Sequence, residues 1–182
     1  MNLSMGILLV SGSAYALAFL FHLLSFLGVK DEGHRPAFAL MRVGFLLSTF
    51  YFAAQAVEQG FFLPVVNLSQ ALAFFAWSLA FVYLVLLAKA QSDSFGLVLT
   101  PVFLLLIASA ILTFHVQRQP TPMPSNPFFT VHIVSAFFAY ASFTISFAAG
   151  LFYLIQHHEL KSKHAGNFYH KLPSLEDLEK LI

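Results

Sequence analysis

The chain has 182 residues, 59% of them hydrophobic and only 9% charged, with a net charge of +1, and its mean hydropathy is +0.79. A soluble domain carries about a quarter charged residues, so this is an integral membrane protein, and it lacks the concentrated basic face that nucleic-acid binding needs. Cysteine is absent, which excludes disulfides, zinc–thiolate sites, iron–sulfur clusters and thiol redox chemistry within the chain.

Five apolar runs, about 5–27, 38–57, 66–88, 96–115 and 128–155, are long enough to cross a bilayer, which takes about 18 to 20 apolar residues. Short polar or proline-bearing connections separate them: VKDEGHRP, EQGFFLP, KAQSDSF and VQRQPTPMPSNP. Short connections favour antiparallel neighbours. The expected fold is therefore all-α, one polytopic membrane domain over residues 1–182 with five transmembrane helices in a compact bundle and a polar tail over 158–182. The opening stretch, MNLSMGILLVSGSAYALAFLF, has neither a basic n-region nor a persuasive small-residue cleavage site, and reads as a retained first helix.

In the first run Ser11, Tyr15, Ala18, His22 and Ser25 share one face at three- and four-residue spacing, so His22 is expected to point into the bundle. The second carries Gly44, Ser48, Tyr51, Gln55 and Glu58 on one stripe. The third opens with Asn67 and Gln70, which align with Phe74 and the one tryptophan, Trp77. Uncharged polar residues at such positions read most simply as interhelical hydrogen bonds, worth about 0.6 to 2 kcal/mol each in a membrane. The fourth run ends at His115, which either pairs with His132 or only terminates its helix.

The fifth run repeats the pattern of the first. His132, Ser135, Ala139, Ser142, Ser146, Ala149 and Tyr153 form one line, while Phe137, Phe138, Phe143, Phe147 and Phe152 fall elsewhere around the helix. Small and hydroxyl-bearing residues let helix backbones approach, which predicts that His132 lies on the packed seam. An ionisable side chain in a membrane faces a partner or a cavity, and one imidazole serves equally as a packing residue or as a metal ligand. Tyr140 and the many phenylalanines read as lipid and core packing, although aromatic faces also suit a flat ring. His34, His157, His158, His164 and His170 sit in or beside charged segments, where solvation is the default.

Lysine and arginine set the expected orientation. With the N-terminus outside and the C-terminus inside, the inner side receives Lys30, Arg35, Arg42, Lys89, Lys161, Lys163, Lys171 and Lys180, against Arg118 alone outside. His132 and His115 then lie near the outer surface and His22 near the inner one. In the tail, Pro173, a Ser174 N-cap with Asp177 three residues on, and an apolar stripe of Leu175, Leu178, Leu181 and Ile182 predict a short amphipathic helix on the inner surface, with more sequence to follow. No carboxylate pair, nucleophile–base pair or metal-ligand cluster suited to catalysis stands out, so the chain is not read as an enzyme on its own.

Three stretches together resemble the cytochrome c assembly proteins of the CcsA/HemX type: FLPVVNLSQALAFFAWSLAFVYLVLL, VHIVSAFFAYASFTISFAAGLFYLIQHHELK and FYHKLPSLEDLEKL. The resemblance implies a haem-handling protein of cytochrome c biogenesis, of the system II type, in a bacterial-type inner membrane. It implies haem b as the cofactor, with His132 in the place of an external haem ligand and His22 in that of an inner one; His115, Asn67, Trp77 and Tyr140 are candidate supporting residues. It implies as partners another membrane subunit or a C-terminal half, and apocytochrome c. The chain departs from that pattern in lacking a WGxxWxWDxxE-like segment, in Gln70 where an acidic residue is common, and in Ser48 where HemX-like members carry histidine. It therefore resembles the front half of such a protein, the alternative being a HemX-like regulator or scaffold of haem biosynthesis without catalytic activity.

Overall fold

The computed structural model describes residues 3–28, 34–60, 63, 65–87, 93–115 and 126–161. They form five helices: α1 (Leu3–Phe26), α2 (His34–Gln59), α3 (Leu68–Leu87), α4 (Asp93–Thr113) and α5 (Pro127–Lys161). All five are long and apolar enough to span a membrane, and no strand occurs among the described residues. The expected tail helix lies outside the described residues.

The first four helices close a ring. α1 packs against α2 and α4, and α3 completes the circuit between the same two, touching α4 more closely than α2. α5 lies outside this ring, mainly on α3 and lightly on α4. Consecutive helices run antiparallel, as the cross-links at their ends show: Ser4 at the start of α1 donates to Glu58 near the end of α2, and Ser69 at the start of α3 donates to the Ala110 carbonyl late in α4.

The α1–α2 seam follows the sequence pattern closely. Ser11, Tyr15, Ala18 and His22 are buried, while Leu17 and Leu20 face outward. Ser11 donates to the Gly44 carbonyl at 3.0 Å and shares a 2.7 Å hydrogen bond with Ser48. Close approach depends on Gly44, because a Cβ there would stand 2.6 Å from the Tyr15 ring. Hydroxyls and a glycine thus replace bulk at the contact, which is how helices associate where lipid offers no hydrophobic drive.

Asn67 and Gln70 act differently from the expectation of interhelical bonds. Asn67 caps α3, its side-chain oxygen accepting from the Gln70 amide at 2.8 Å, while the Gln70 side chain reaches back to accept from the Val66 amide at 2.9 Å. The pair is a variant of the reciprocal capping box, which satisfies donors that a helix start leaves orphaned. Gln55 bonds along its own helix, to Tyr51 and Gln59 one turn either side.

α5 is 35 residues long, about 50 Å at 1.5 Å per residue, and outreaches a hydrocarbon core of about 30 Å. Its buried side matches the expected one at Ala149 and departs from it in the first half of the helix. Ala141, Ile145, Ala148, Ala149, Phe152 and Gln156 face inward, whereas His132, Ser135, Ala139 and Ser142 are exposed. The first half of α5 meets α3 through rings: Phe137 lies edge-on to Phe74 at 5.3 Å, and Phe138 edge-on to Phe81 at 5.4 Å. Ring-to-ring contact fills the gap that small residues were expected to close, and turns the part of the small-residue line from His132 to Ser142 away from the bundle.

Candidate functional site

The two histidines singled out by the sequence occupy opposite ends of the molecule. His22 comes late in α1, facing the starts of α2 and α4. It is 0% exposed. Gly96 of α4 stands directly over its ring, so close that a Cβ at that position would overlap the imidazole. Phe38 of α2 presents an edge at 6.2 Å and 77°, and Phe38 itself stacks on Tyr83 of α3 at 5.6 Å. The helical course of α4 here is held by Thr100, whose hydroxyl donates to the Gly96 carbonyl. A porphyrin plane has no room beside an imidazole enclosed in this way.

His132 comes in the second turn of α5 and is exposed. The helix that carries it starts cleanly: Asn126 accepts from the Phe128 amide at 2.9 Å, with Pro127 at the first helical position, where its missing N–H costs nothing. Below His132 on the same side lie the exposed Ser135 and Ala139. Small side chains there leave the imidazole standing above an open helix face. That arrangement fits a flat ring approaching from outside the bundle.

His115 is also exposed, just beyond the end of α4, with its ring edge-on to Phe114 at 5.8 Å. It shares the His132 end with Asn67 and with the Ser4–Glu58 link. Trp77 lies at the centre of an aromatic cluster joining α2, α3 and α5: it stacks with Phe74 at 5.4 Å and Phe45 at 5.5 Å, and its indole N–H donates to the Thr49 hydroxyl at 2.8 Å. Tyr140 is exposed and meets Phe75 at 6.3 Å. His157 and His158 are exposed at the far end of α5. Among the described residues no three His, Asp or Glu side chains gather as a metal-holding group.

His132 and Phe152 are separated by 20 positions of one continuous helix, about 30 Å at the α-helical rise. Phe152 meets Phe95 edge-on at 5.2 Å, and Phe95 adjoins Gly96 above His22. The two imidazoles are therefore too far apart to ligate one iron. Sequence reasoning missed Gly96, the residue that decides how tightly His22 is enclosed. Its one trace in the sequence is a glycine within the apolar stretch FGLVLTP.

Residues 65–182 match the family model described as Cytochrome C assembly protein. Protein HemX of Brevibacillus brevis is 32% identical over 168 residues, which cover 91% of this chain and 61% of that protein. Protein HemX of Bacillus subtilis (strain 168) is 33% identical over 175 residues, covering 92% and 60% respectively. The chain thus spans about three fifths of the length of these curated relatives. No solved structure matches it. The matched segment takes in α3, α4 and α5 with Asn67, Trp77, His115 and His132, and together with the five membrane-crossing helices it establishes that the chain is a multi-pass membrane protein belonging to the cytochrome c assembly protein family.

Proposed function

We propose that this chain handles haem in cytochrome c biogenesis of the system II type, and that His132 is its principal haem ligand. The observation that carries the reading is the exposure of His132 within the family-matched segment, above the small side chains of Ser135 and Ala139. Bound haem would supply an iron able to take an imidazole nitrogen, and a protein controls such a group through ligand identity, hydrogen bonding and burial. His132 would provide the nitrogen, and its helix face would seat the ring. His115 is the candidate for a second contact at the same end, and Tyr140 for an aromatic one farther along α5. The aromatic cluster around Trp77 holds α5 against α3 and so fixes the position of His132.

His22 is the proposed ligand of a second, inner site, although the enclosed arrangement leaves it no room for haem. Its role there requires α1 and α4 to part. The orientation that puts His132 outside and His22 inside rests on the lysine and arginine bias, in an inner membrane of bacterial type. Haem b is the expected form, with apocytochrome c and a further membrane subunit or C-terminal segment as partners.

The test is haem retention on purification from haem-replete membranes. His132→Ala is expected to lose most of the bound haem, and His22→Ala a smaller share; equal occupancy in wild type, both single variants and the double variant would dismiss both assignments.

A second reading is a HemX-like regulator without haem of its own. It is favoured by the end of α5, which runs on to Lys161 beyond the span and exposes His157, His158 and Lys161 as a basic surface. Under that reading, deletion of residues 161–182 abolishes co-purification of a membrane partner, while His132→Ala and His22→Ala leave it intact.

A further inference from the structure

We infer that the first turns of α4, residues 93–100, form a lid hinged at Pro101 that covers His22 and is latched by Phe95 against Phe152. The cover is Gly96, whose backbone stands where any side chain would overlap the His22 ring. The hinge is Pro101, inside α4. Proline has no N–H to bond the carbonyl four residues back, here that of Leu97, and it crowds that carbonyl. The helical ladder thus lacks one hydrogen bond immediately after the segment that covers His22.

The latch is aromatic. Phe95 and Phe152 are both buried and meet edge-on at 5.2 Å and 88°. α5 otherwise touches α4 only lightly, so this pair is a principal tie between the lid and the outer helix. The helix that carries His132 at one end therefore holds the cover of His22 at the other. Thr100 keeps the lid helical up to the hinge, its hydroxyl donating to the Gly96 carbonyl. The lid moves as a helical unit, and swinging it outward exposes the imidazole without unwinding α1.

This inference concerns access to His22 and stands separately from the haem assignment. It is tested by diethyl pyrocarbonate labelling of the 182-residue chain in lipid nanodiscs, with each histidine read by mass spectrometry. In the wild type His22 should label at least about tenfold more slowly than the exposed His115, because it reacts only when the lid opens. Pro101→Ala restores the ladder and should slow His22 further, and Phe152→Ala frees the latch and should speed it several-fold, with His115 labelling unchanged in both. Labelling of His22 as fast as His115 in the wild type would overturn the lid. So would identical His22 rates in wild type, Pro101→Ala and Phe152→Ala, including no labelling in any of them.

Discussion

His22 and His132 belong to helices whose sequences read alike, with an imidazole among serines and alanines at helical spacing, yet one ring is sealed and the other open. The difference comes from how much of each helix its neighbours cover. α1 sits within the four-helix ring, flanked by α2 and α4, so its small-residue face is covered along its length. α5 is attached from outside, and one side of it suffices for the contact. It uses the side bearing Phe137, Phe138 and Phe152, and leaves His132, Ser135 and Ala139 exposed. A periodic face of small polar residues thus marks a surface suited to close approach, and the bundle topology determines whether a helix of the same chain occupies it.

The comparison predicts that substitutions packed against or beside His22 act through stability and that His132→Ala acts through ligand binding. Gly96→Ala should have the largest effect. Its methyl overlaps a fully enclosed ring, and over-packing of this kind costs about 3 kcal/mol at the upper end of its range, well beyond the roughly 1 kcal/mol that alanine gains over glycine in a helix. Thermal unfolding in detergent should show a clear fall in midpoint, and an unchanged midpoint would mean that the α1–α4 contact is loose. Gly44→Ala should follow at about 2 kcal/mol, since the Tyr15 ring lies 2.6 Å from the added carbon. At the other end, Asn67→Ala removes the α3 cap and should cost about 1 kcal/mol in the same assay. His132→Ala should be smallest, within about 0.5 kcal/mol of wild type, as expected of an exposed side chain whose removal opens no cavity. A large loss of stability in His132→Ala would erase the contrast between the two ends.

Much of the architecture was legible in the sequence. Five helices follow from five apolar runs, and the buried face of α1 follows from Ser11, Tyr15, Ala18 and His22 at helical spacing. α2 and α5 extend past their apolar runs, to His34 and Lys161, because hydropathy marks the lipid-crossing part of a helix and backbone hydrogen bonding continues beyond it. The face of α5 was not legible, since small residues and aromatic rings offer competing ways to pack, and only the presence of Phe74, Trp77 and Phe81 on α3 decides between them. Gln70, a departure from the acidic residue common in the family it resembles, finds its account in the capping box, where a glutamine or glutamate side chain serves equally as acceptor. Gly96 and His22 are 74 positions apart in the chain, and no local pattern could have joined them.

The contrast between a sealed and an open imidazole is tested most directly by the absorption spectrum of the haem-supplied, detergent-purified protein, oxidised and reduced, with and without His132. The wild type should show a Soret band and resolved reduced-state bands; His132→Ala should lose most of their intensity, and added imidazole should restore it. A wild type that takes up no haem, or a His132→Ala spectrum identical to the wild type, would contradict the assignment of His132 as the haem ligand.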